Sequence, residues 1–314
     1  MKAGADSRTR GTPVSIRRNI GHLRDDTSPL TRKVQLDGCA LVHYTRNNSQ
    51  PTSMTVKRIQ NRDAIARLLR SEPAQNADQL GYLDECYQDV CEWYGEVGDE
   101  GLRTIVLVYD GLSRPGLFTA GDPAGIRPIL HSAQLPERVT GHFVSAHRDA
   151  VFTAYRATDS LRRMSRMLLT RDDYQARESS VEVCRLGHVD TGAIMSLYRH
   201  WRDNFFEPFQ LETGLYFGVR EAGELVAIAG VHNLSDQFDV ATIGNLVTHP
   251  DYRGRGYGSA VTARLLDETF EHVTHVTLDV QGDNEPAVRT YRRFGFEHRA
   301  EFYEGELILK GIHV

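Results

Sequence analysis

The stretch Val247-Thr-His-Pro-Asp-Tyr-Arg-Gly-Arg-Gly-Tyr-Gly-Ser259 leads from a strand-like segment through a glycine-rich turn into a predicted helix. Gly254, Gly256 and Gly258 can adopt positive φ and let the backbone approach a ligand closely. The helix that begins near Ser259 points unpaired N–H groups, and about half a unit of positive charge, at the same place. The stretch therefore predicts a site for an anion such as pyrophosphate, held mainly by backbone groups.

Two other phosphate-binding motifs also use closely spaced glycines, and neither matches this stretch. A P-loop needs Gly-Lys-Ser/Thr, whereas Gly258 is followed by Ser-Ala-Val. The dinucleotide fingerprint needs G-x-G-x-x-G at the start of a βαβ unit, and here a predicted antiparallel meander comes before the glycines. Asp279 lies at about the distance expected for the ribose-binding acid of that fingerprint, which we interpret as a coincidence.

The remaining pattern is [Arg/Gln]-x-x-Gly-x-[Gly/Ala], which Arg253, Gly256 and Gly258 fill. It resembles the acyl-CoA pyrophosphate loop of the GNAT superfamily of N-acetyltransferases. Downstream, residues 284–296 read Asn-Glu-Pro-Ala-Val-Arg-Thr-Tyr-Arg-Arg-Phe-Gly-Phe and resemble the second signature of that family, an Asn followed by a short helix that carries a Tyr. The two signatures occur in the family's order.

The segments around the signatures follow the same order. A helical period over residues 190–201 precedes three predicted strands, and further predicted strands lie at 276–280 and 301–310. The three strands span 215–220, 225–232 and 240–248. The resemblance covers about residues 181–314 and implies an α/β (α+β) fold, with a mixed, mostly antiparallel central sheet flanked by helices.

The length of 314 residues exceeds one such module and predicts a second domain. Residues 1–53 show no period and are predicted to be a largely disordered tail. Residues 54–174 predict a small α/β domain that resembles the degenerate first half of two-domain GNAT proteins of the glycine N-acyltransferase-like group. A linker at 171–180 leads to a catalytic domain at 181–314. Predicted helices of the first half span 64–69, 77–94 and 149–155, and its predicted strands 104–109, 143–146 and 164–169.

The first half is not expected to bind the cofactor. Residues 120–128 contain glycines but lack the Arg-x-x-Gly-x-Gly pattern. Pro123 and Pro128 also remove N–H groups that a phosphate would need. We therefore expect one cofactor site, in the second half.

The composition is that of an ordinary soluble protein. Hydrophobic residues make up 40% and charged residues 25%, and the net charge of −5 gives no electrostatic reason to expect nucleic acid. The longest apolar run, 225–231, is too short to span a membrane. Four cysteines, at 39, 86, 91 and 184, have no zinc spacing, so we expect reduced thiols, no metal and a cytoplasmic location.

Acylation of an amine requires that a proton be removed and that the thioester carbonyl be polarised. The resemblance implies that the backbone N–H of Val247 stabilises the oxyanion. It also implies that the strand at Leu246, Val247 and Thr248 pairs with the pantetheine amides like an added strand. The remaining cofactor-binding residues implied by the family are Arg253, Gly254, Arg255, Gly256, Tyr257, Gly258, Ser259 and Asn284.

The departing thiolate needs a proton, and a phenol stays protonated at neutral pH. By resemblance Tyr291 is the general acid, although a Tyr beside Phe294 and Phe296 is also explained as a core residue. Arg292 and Arg293 either reach the 3′-phosphate of CoA or face water.

Several residues are candidates for the general base. Many GNAT enzymes place a Glu on the strand where this chain has Gly244-Asn245, which makes a direct carboxylate base doubtful. Glu207 and Glu212 lie in the segment that would wall the acceptor pocket. His232 has a suitable ordinary pKa. A water relayed to His232 or Glu212 is the alternative that we carry forward.

The sequence thus favours an acyl-CoA-dependent N-acyltransferase. The family implies transfer of acetyl from acetyl-CoA, or of another acyl group, to a primary amine of a small molecule or peptide, by direct attack in a ternary complex. A non-catalytic acyl-CoA sensor and a scaffold of two modules are the alternatives. A homodimer is left open.

Overall fold

A computed structural model describes residues 55–99, 101–201 and 206–311 of the protein. The predicted tail at 1–53 lies outside the described residues. Within them, one mixed sheet of 13 strands has the order β1-β2-β3-β4-β5-β13-β7-β12-β11-β10-β9-β8, and β6 pairs with β13. Its strands are β1 Thr55–Arg58, β2 Cys91–Gly98, β3 Gly101–Tyr109, β4 Gly116–Gly121, β5 Arg138–Phe143, β6 Tyr155–Ala157, β7 Arg162–Thr170, β8 Cys184–Arg185, β9 Tyr216–Glu221, β10 Glu224–Ser235, β11 Val240–Thr248, β12 His275–Gln281 and β13 Glu297–Leu309.

Helices flank this sheet, as predicted. They are α1 Arg62–Leu69, α2 Ala77–Tyr82, α3 Pro123–Ser132, α4 Arg148–Ala154, α5 Thr191–Tyr198, α6 Tyr257–Thr269 and α7 Glu285–Arg292. All strand pairs in the sheet are antiparallel except β4 with β5 and β11 with β12. The predicted mixed, mostly antiparallel sheet is therefore confirmed.

Local sequence explains several element boundaries. The side chain of Asn61 accepts a hydrogen bond from the Ala64 N–H at 3.0 Å and begins α1. Asp122 caps α3 in the same way, and Pro123 occupies its first turn, where no N–H is needed. A turn at Ala222-Gly223 joins β9 to β10 with positive φ at both residues.

The predicted helix at 77–94 is wrong in its second half. The helix ends at Tyr82, a 3-10 turn spans Glu85–Val90, and Cys91–Gly98 is a strand. This segment is a strand because β2 pairs along its length with β3 and over its second half with β1, and Cys91 and Trp93 are buried in the core beside it. Tertiary pairing overrides the local helical pattern here.

Strands β7 and β13 join the N-terminal half (55–174) to the C-terminal half (181–311), because each pairs with a strand of the other half. β13 pairs with β5 of the N-terminal half, β7 pairs with β12 of the C-terminal half, and the two also pair with each other. Each half therefore supplies a strand to the sheet of the other. The described residues all belong to one compact unit, and the division into domains at 174 and 181 stays a prediction.

The C-terminal half has a core on each face of its sheet. Residues 225–231 of β10 are all buried, because α5 covers one face and α6 the other. Leu265, Leu266 and Leu278 are fully buried in the α6 core, and each such side chain contributes about 1.5–3 kcal/mol to folding. This core fixes α6 against the sheet and so determines where its N-terminus points. No helix among the residues described is long and apolar enough to cross a membrane.

Candidate active site

A cavity of about 440 Å³ lies where the two halves meet. The N-terminal half contributes residues of α2, β4, β5 and β7 to its wall, and the C-terminal half contributes β10, β11, β12 and α7. The lining includes Asp78, Tyr82, Tyr109, Phe118, His142, Met164, His232, Gly244, Asn245, Leu246, Val247, Asp279, Asn284, Tyr291 and Glu304. Leu246 and Val247 of the predicted cofactor-binding strand are thus brought to one cavity with Asn284 and Tyr291, whereas Thr248 does not line it.

One edge of β11 is open beside this cavity. The parallel pairing of β11 with β12 ends at Ile243 opposite Leu278, although β11 continues to Thr248 and β12 to Gln281. Past Ile243 the two strands diverge, and the backbone groups of β11 on that side have no β12 partner. Such an edge can accept an extended ligand as an added strand.

A bulge shapes this open segment. The register between β10 and β11 shifts between Ile228 and Gly230, and Asn245 has a positive φ of 54°. The Asn245 side chain donates to the Tyr216 hydroxyl at 2.8 Å and to Gln210 Oε1 at 3.2 Å. The Tyr198 hydroxyl donates to the Asn245 carbonyl at 3.3 Å. These bonds hold the residue in a conformation that its backbone alone disfavours.

The strand register decides which N–H groups face the open edge. The His249 N–H donates to the Val226 carbonyl at 2.8 Å, and Val247 lies opposite Ile228 in the same register. Hydrogen-bonded pairs alternate along an antiparallel ladder, so the N–H of Val247 also points to β10. The N–H groups of Thr248 and Leu246 point the other way. The N–H of Val247, which the sequence predicts to stabilise the oxyanion, therefore faces β10, and the N–H of Leu246 faces the open edge.

The glycine turn lies at the end of the same strand. Gly254 and Gly256 have φ of 75° and 84°, as the sequence predicted. Gly258 does not share this conformation, because it already lies in the first turn of α6; a Cβ there would lie 2.9 Å from Thr248 Oγ1. The first α6 hydrogen bond runs from the Ala260 N–H to the Gly256 carbonyl at 2.9 Å. The N–H groups of residues 257–259 therefore have no partner within the helix and can bind an anion.

Two exposed arginines flank the turn. The guanidinium carbon of Arg253 lies 5.7 Å from the centre of the Trp201 ring, and that of Arg255 lies 4.8 Å from the Tyr252 ring. Aromatic rings thus hold both side chains near the turn while leaving the guanidinium groups in solvent. Tyr257 begins α6 and donates its hydroxyl hydrogen bond to Glu221.

Tyr291 lies on α7, 8% exposed, and lines the cavity. Burial raises the pKa of its hydroxyl to about 12, so it is protonated at neutral pH. This hydroxyl forms no hydrogen bond within the described part of the chain, whereas the ring packs against Phe296 at 6.0 Å. Asn284 caps α7 by accepting from the Ala287 N–H at 3.3 Å. Arg292 and Arg293 follow at the end of the helix and are exposed.

His232 is the candidate base that the fold brings to the cavity. Its Nε2 atom is buried and has no hydrogen-bond partner among the described residues. Burial lowers the pKa of the imidazole, which keeps it neutral and able to accept a proton at pH 7. Glu212 is exposed and does not line the cavity. Glu207 binds the Ser113 N–H at 3.1 Å through its carboxylate.

Comparison with known proteins agrees with this geometry. The model of the Acetyltransferase (GNAT) family matches residues 188–296. Residues 188–296 form a GNAT acetyltransferase domain. The match contains the open edge of β11, the glycine turn and Tyr291, which is the set of features that the two sequence signatures predicted.

Relatives of the GNAT domain include two acetyltransferases. The N-alpha-acetyltransferase RimI of Mycobacterium tuberculosis is 38% identical over 86 residues, which are 26% of this chain and 51% of that protein. A mycothiol acetyltransferase of Corynebacterium jeikeium is 45% identical over 60 residues, 18% of this chain and 17% of that protein. The chain thus spans about half of one curated relative and under a fifth of the other.

The fold likeness extends beyond the GNAT domain. A GCN5-related N-acetyltransferase from Sphaerobacter thermophilus superposes with a TM-score of 0.54 at 18% identity, over 84% of this chain and 98% of that one. This coverage includes most of the N-terminal half. The GNAT fold therefore accounts for the architecture of nearly all described residues.

In the N-terminal half, side chains bind the backbone groups at the start of α3 and at the end of β4. At the start of α3, the Asp122 carboxylate accepts from the Ala124 N–H at 3.0 Å and from Arg103 at 2.7 Å. The imidazole of His147 binds the Thr119 hydroxyl at 2.8 Å and the Gly121 carbonyl at 3.1 Å along the end of β4. Side chains of the chain itself thus occupy both positions.

Sequence reasoning missed a group of charged residues in the cavity. Arg166 is 3% exposed and binds Asp279 through Nε at 2.8 Å and Nη2 at 2.6 Å, and the same Nη2 also donates to Asp78. Burial raises the pKa of Asp279 to about 6. Burial is the largest influence on Asp78 and acts to raise its pKa, but Arg166, His142 and Thr242 together outweigh it and hold that pKa below its usual range. The sequence signal that could have revealed this group is Asp279, a charged residue inside an otherwise apolar strand.

Proposed function

We propose that the protein is an acyl-CoA-dependent N-acyltransferase that transfers acetyl from acetyl-CoA to a primary amine in a ternary complex. The observation that supports this most strongly is the position of the open β11 edge, between the glycine turn and the cavity. A thioester ligand that runs along this edge has its phosphates at the turn and its acyl group at the cavity. Metal is not needed for this chemistry. No metal-binding cluster of His, Cys, Asp or Glu occurs in residues 55–99, 101–201 and 206–311.

The residues of the edge and turn suit acetyl-CoA. The N–H groups at 257–259 and the exposed arginines at 253 and 255 supply the positive charge that a pyrophosphate requires. The outward N–H of Thr248 pairs with a pantetheine amide. The outward N–H of Leu246, two residues nearer the cavity, donates to the thioester carbonyl and stabilises its oxyanion.

The proton transfers are assigned to two side chains. An acceptor ammonium gives one proton to Nε2 of His232, and the free amine attacks the thioester carbonyl to form the C–N bond. When the C–S bond breaks, the thiolate takes the hydroxyl proton of Tyr291. The amide nitrogen then returns its surplus proton to that phenolate. The products are the amide and CoA thiol, and the net proton leaves from His232.

The arrangement of the chain belongs to the same proposal. The half from 181 onward carries catalysis, and the half at 54–174 is a degenerate GNAT-like module without a cofactor of its own. A cytoplasmic location and a homodimer stay predictions from the sequence.

The test combines binding and turnover. Calorimetry with acetyl-CoA is expected to show micromolar binding to the full chain. Release of CoA thiol in the presence of amines is then expected to depend on Tyr291. Failure of the folded protein to bind acetyl-CoA would exclude this function. Binding without turnover of any amine would favour an acyl-CoA sensor.

A further inference from the structure

We propose that the acceptor is a small organic monoamine, whose single ammonium group is bound by the carboxylates of Asp78, Asp279 and Glu304. This inference rests on the proposed function and adds the substrate class to it. It assigns part of the recognition of the acceptor to the N-terminal half, through Asp78 and an aromatic wall.

The charge of the cavity supports a monocation. Three carboxylates line it, from Asp78, Asp279 and Glu304. Two guanidinium groups neutralise part of this charge: Arg166 binds both aspartates, and Arg162 binds Glu304 at 2.5 Å. One negative charge is left over. A half-buried charge of this kind is costly until it is paired, and one ammonium ion balances it.

The histidines of the cavity do not supply the missing positive charge. Burial lowers the pKa of both His142 and His232, so both are neutral at pH 7. The single charge of Arg166 is already shared by Asp78 and Asp279, and four of its five N–H groups are used by these carboxylates and by the Gln75 carbonyl, to which Nη1 donates at 2.9 Å. The balancing cation must therefore come with the ligand.

Arg166 also fixes the geometry of the acidic group. Asp279 lies at the first position of β12 beyond the last pair with β11, where the strands diverge. Its side chain shares a face with Thr277, which bonds Thr242 of β11 at 3.1 Å. The carboxylate thus lies beside the place where the thioester carbonyl is expected. There it also stabilises the positive charge that develops on the attacking nitrogen.

An apolar wall faces the acidic residues. Tyr82 and Tyr109 are stacked with their ring centres 4.1 Å apart, and Phe118 stacks on His142 at 4.5 Å. All four belong to the N-terminal half, and all line the cavity. An amine with a hydrocarbon or aromatic body fits between this wall and the carboxylates. A cavity of about 440 Å³ holds a ligand of that size, at the low end for small-molecule sites.

Two buried polar atoms in the cavity wall have no hydrogen-bond partner in the part of the chain that is described. They are Nε2 of His232 and Nδ1 of His142, and the latter lies 3.6 Å from the Glu304 carboxylate. Buried polar atoms without a partner are rare in folded proteins and indicate a site for a polar ligand or water. They lie in residues that line the same cavity as the carboxylates, so one ligand can engage both groups.

The experiment measures CoA thiol release at saturating acetyl-CoA with amines of different classes. The monoamines 2-phenylethylamine and hexylamine are compared with 1,4-diaminobutane and with a short peptide that has a free N-terminus. We expect kcat/KM for the monoamines to exceed that for the diamine and the peptide by at least tenfold. Acetylation of the peptide or diamine in preference to the monoamines would overturn this inference and leave the proposed function standing. Acetylation of none of the four would overturn both.

Variants test the charge directly. In Asp78→Asn and Glu304→Gln we expect the KM for 2-phenylethylamine to rise at least tenfold, while the Kd for acetyl-CoA stays within twofold and reports that the protein is folded. Inhibition by the neutral isostere 2-phenylethanol should not weaken in Glu304→Gln. Matched controls are the exposed residues in Asp149→Asn and Glu271→Gln, with unchanged KM. An unchanged KM in Glu304→Gln, or an equal loss for amine and alcohol, contradicts the proposal.

Discussion

The imidazole of His232 occupies the space into which a side chain on Gly244 would extend. A Cβ added at Gly244 would lie closer to the imidazole carbon and nitrogen atoms than non-bonded atoms can approach. The two residues lie on neighbouring strands, and the register shift of β10 between Val231 and Asn233 includes His232. Gly244 lies on β11 where the family resemblance led us to expect a Glu. Because Gly244 has no side chain, the imidazole of His232 from β10 occupies that space.

Replacement of this glycine should therefore displace the proposed base. In Gly244→Ala we expect kcat to fall by about a hundredfold, because small misplacements of a catalytic group have effects of that order. The free energy of unfolding should fall by about 1–3 kcal/mol from overpacking. The control is Gly192→Ala in exposed α5, where an added Cβ has no atom within 4 Å. If Gly244→Ala kept the kcat of the wild type, His232 could not be the general base.

Tyr291→Phe separates catalysis from binding. Loss of the hydroxyl removes the proton for the leaving thiolate but keeps the buried ring, so kcat should fall by about 10²–10⁴-fold. The Kd for acetyl-CoA, measured by calorimetry, should not change. Tyr303→Phe, a half-buried Tyr outside the cavity, is the matched control and should keep full activity. Equal activity of Tyr291→Phe and Tyr303→Phe would show that Tyr291 is a core residue and not the general acid.

The chain should bind one acetyl-CoA, because in the N-terminal half the Asp122 carboxylate already caps the start of α3, where an anion would otherwise bind. Calorimetry should give a stoichiometry of one, and the double variant Arg253→Ala/Arg255→Ala should bind at least tenfold more weakly, since a charge-assisted hydrogen bond contributes about 1.5–3 kcal/mol. The double variant Arg67→Ala/Arg127→Ala changes two exposed arginines of the other half and should bind normally. A stoichiometry of two would refute the closed N-terminal site.

Acid should destabilise the fold through its buried histidines. Burial lowers the pKa of His142, His147 and His232, so below about pH 6.5 the unfolded chain binds more protons than the folded one. Each histidine then lowers the free energy of unfolding by at most about 1.4 kcal/mol per pH unit, until its folded pKa is reached. Asp279 acts with the opposite sign between about pH 6 and its unfolded pKa of 3.8, because its folded pKa is raised.

Urea unfolding at pH 7.5 and 5.5 measures this dependence. In His147→Gln the difference in free energy of unfolding between the two pH values should shrink, since one proton-binding group is lost from the unfolded chain. The exposed Gln134, whose side chain does not titrate, provides the control: Gln134→Asn should leave the difference unchanged. An identical difference in wild type and His147→Gln would contradict the assignment.

The local features of the site could be predicted from the sequence, because they depend on residues near one another in the chain. The positive φ of Gly254 and Gly256, the start of α6 and the cap at Asn284 follow from turn and cap chemistry within a few residues. The order of strands and helices after residue 188 follows from hydrophobic periodicity. The helix predicted at 77–94 failed for the opposite reason: β2 forms only because distant strands pair with it.

The sequence by itself determined the GNAT fold of this protein, its anion-binding turn and its candidate acid. Only the tertiary structure decided which backbone N–H faces the open edge of β11, since a bulge of one residue reverses the direction of every group after it. It also decided the charged group of the cavity that we propose as the acceptor pocket. Asp78, Arg166 and Asp279 are separated by 88 and 113 residues along the chain, and the exchange of β7 and β13 between the halves brings them together. Charge pairing in the interior depends on contacts between residues that are far apart in the chain, and a local sequence pattern cannot predict such contacts.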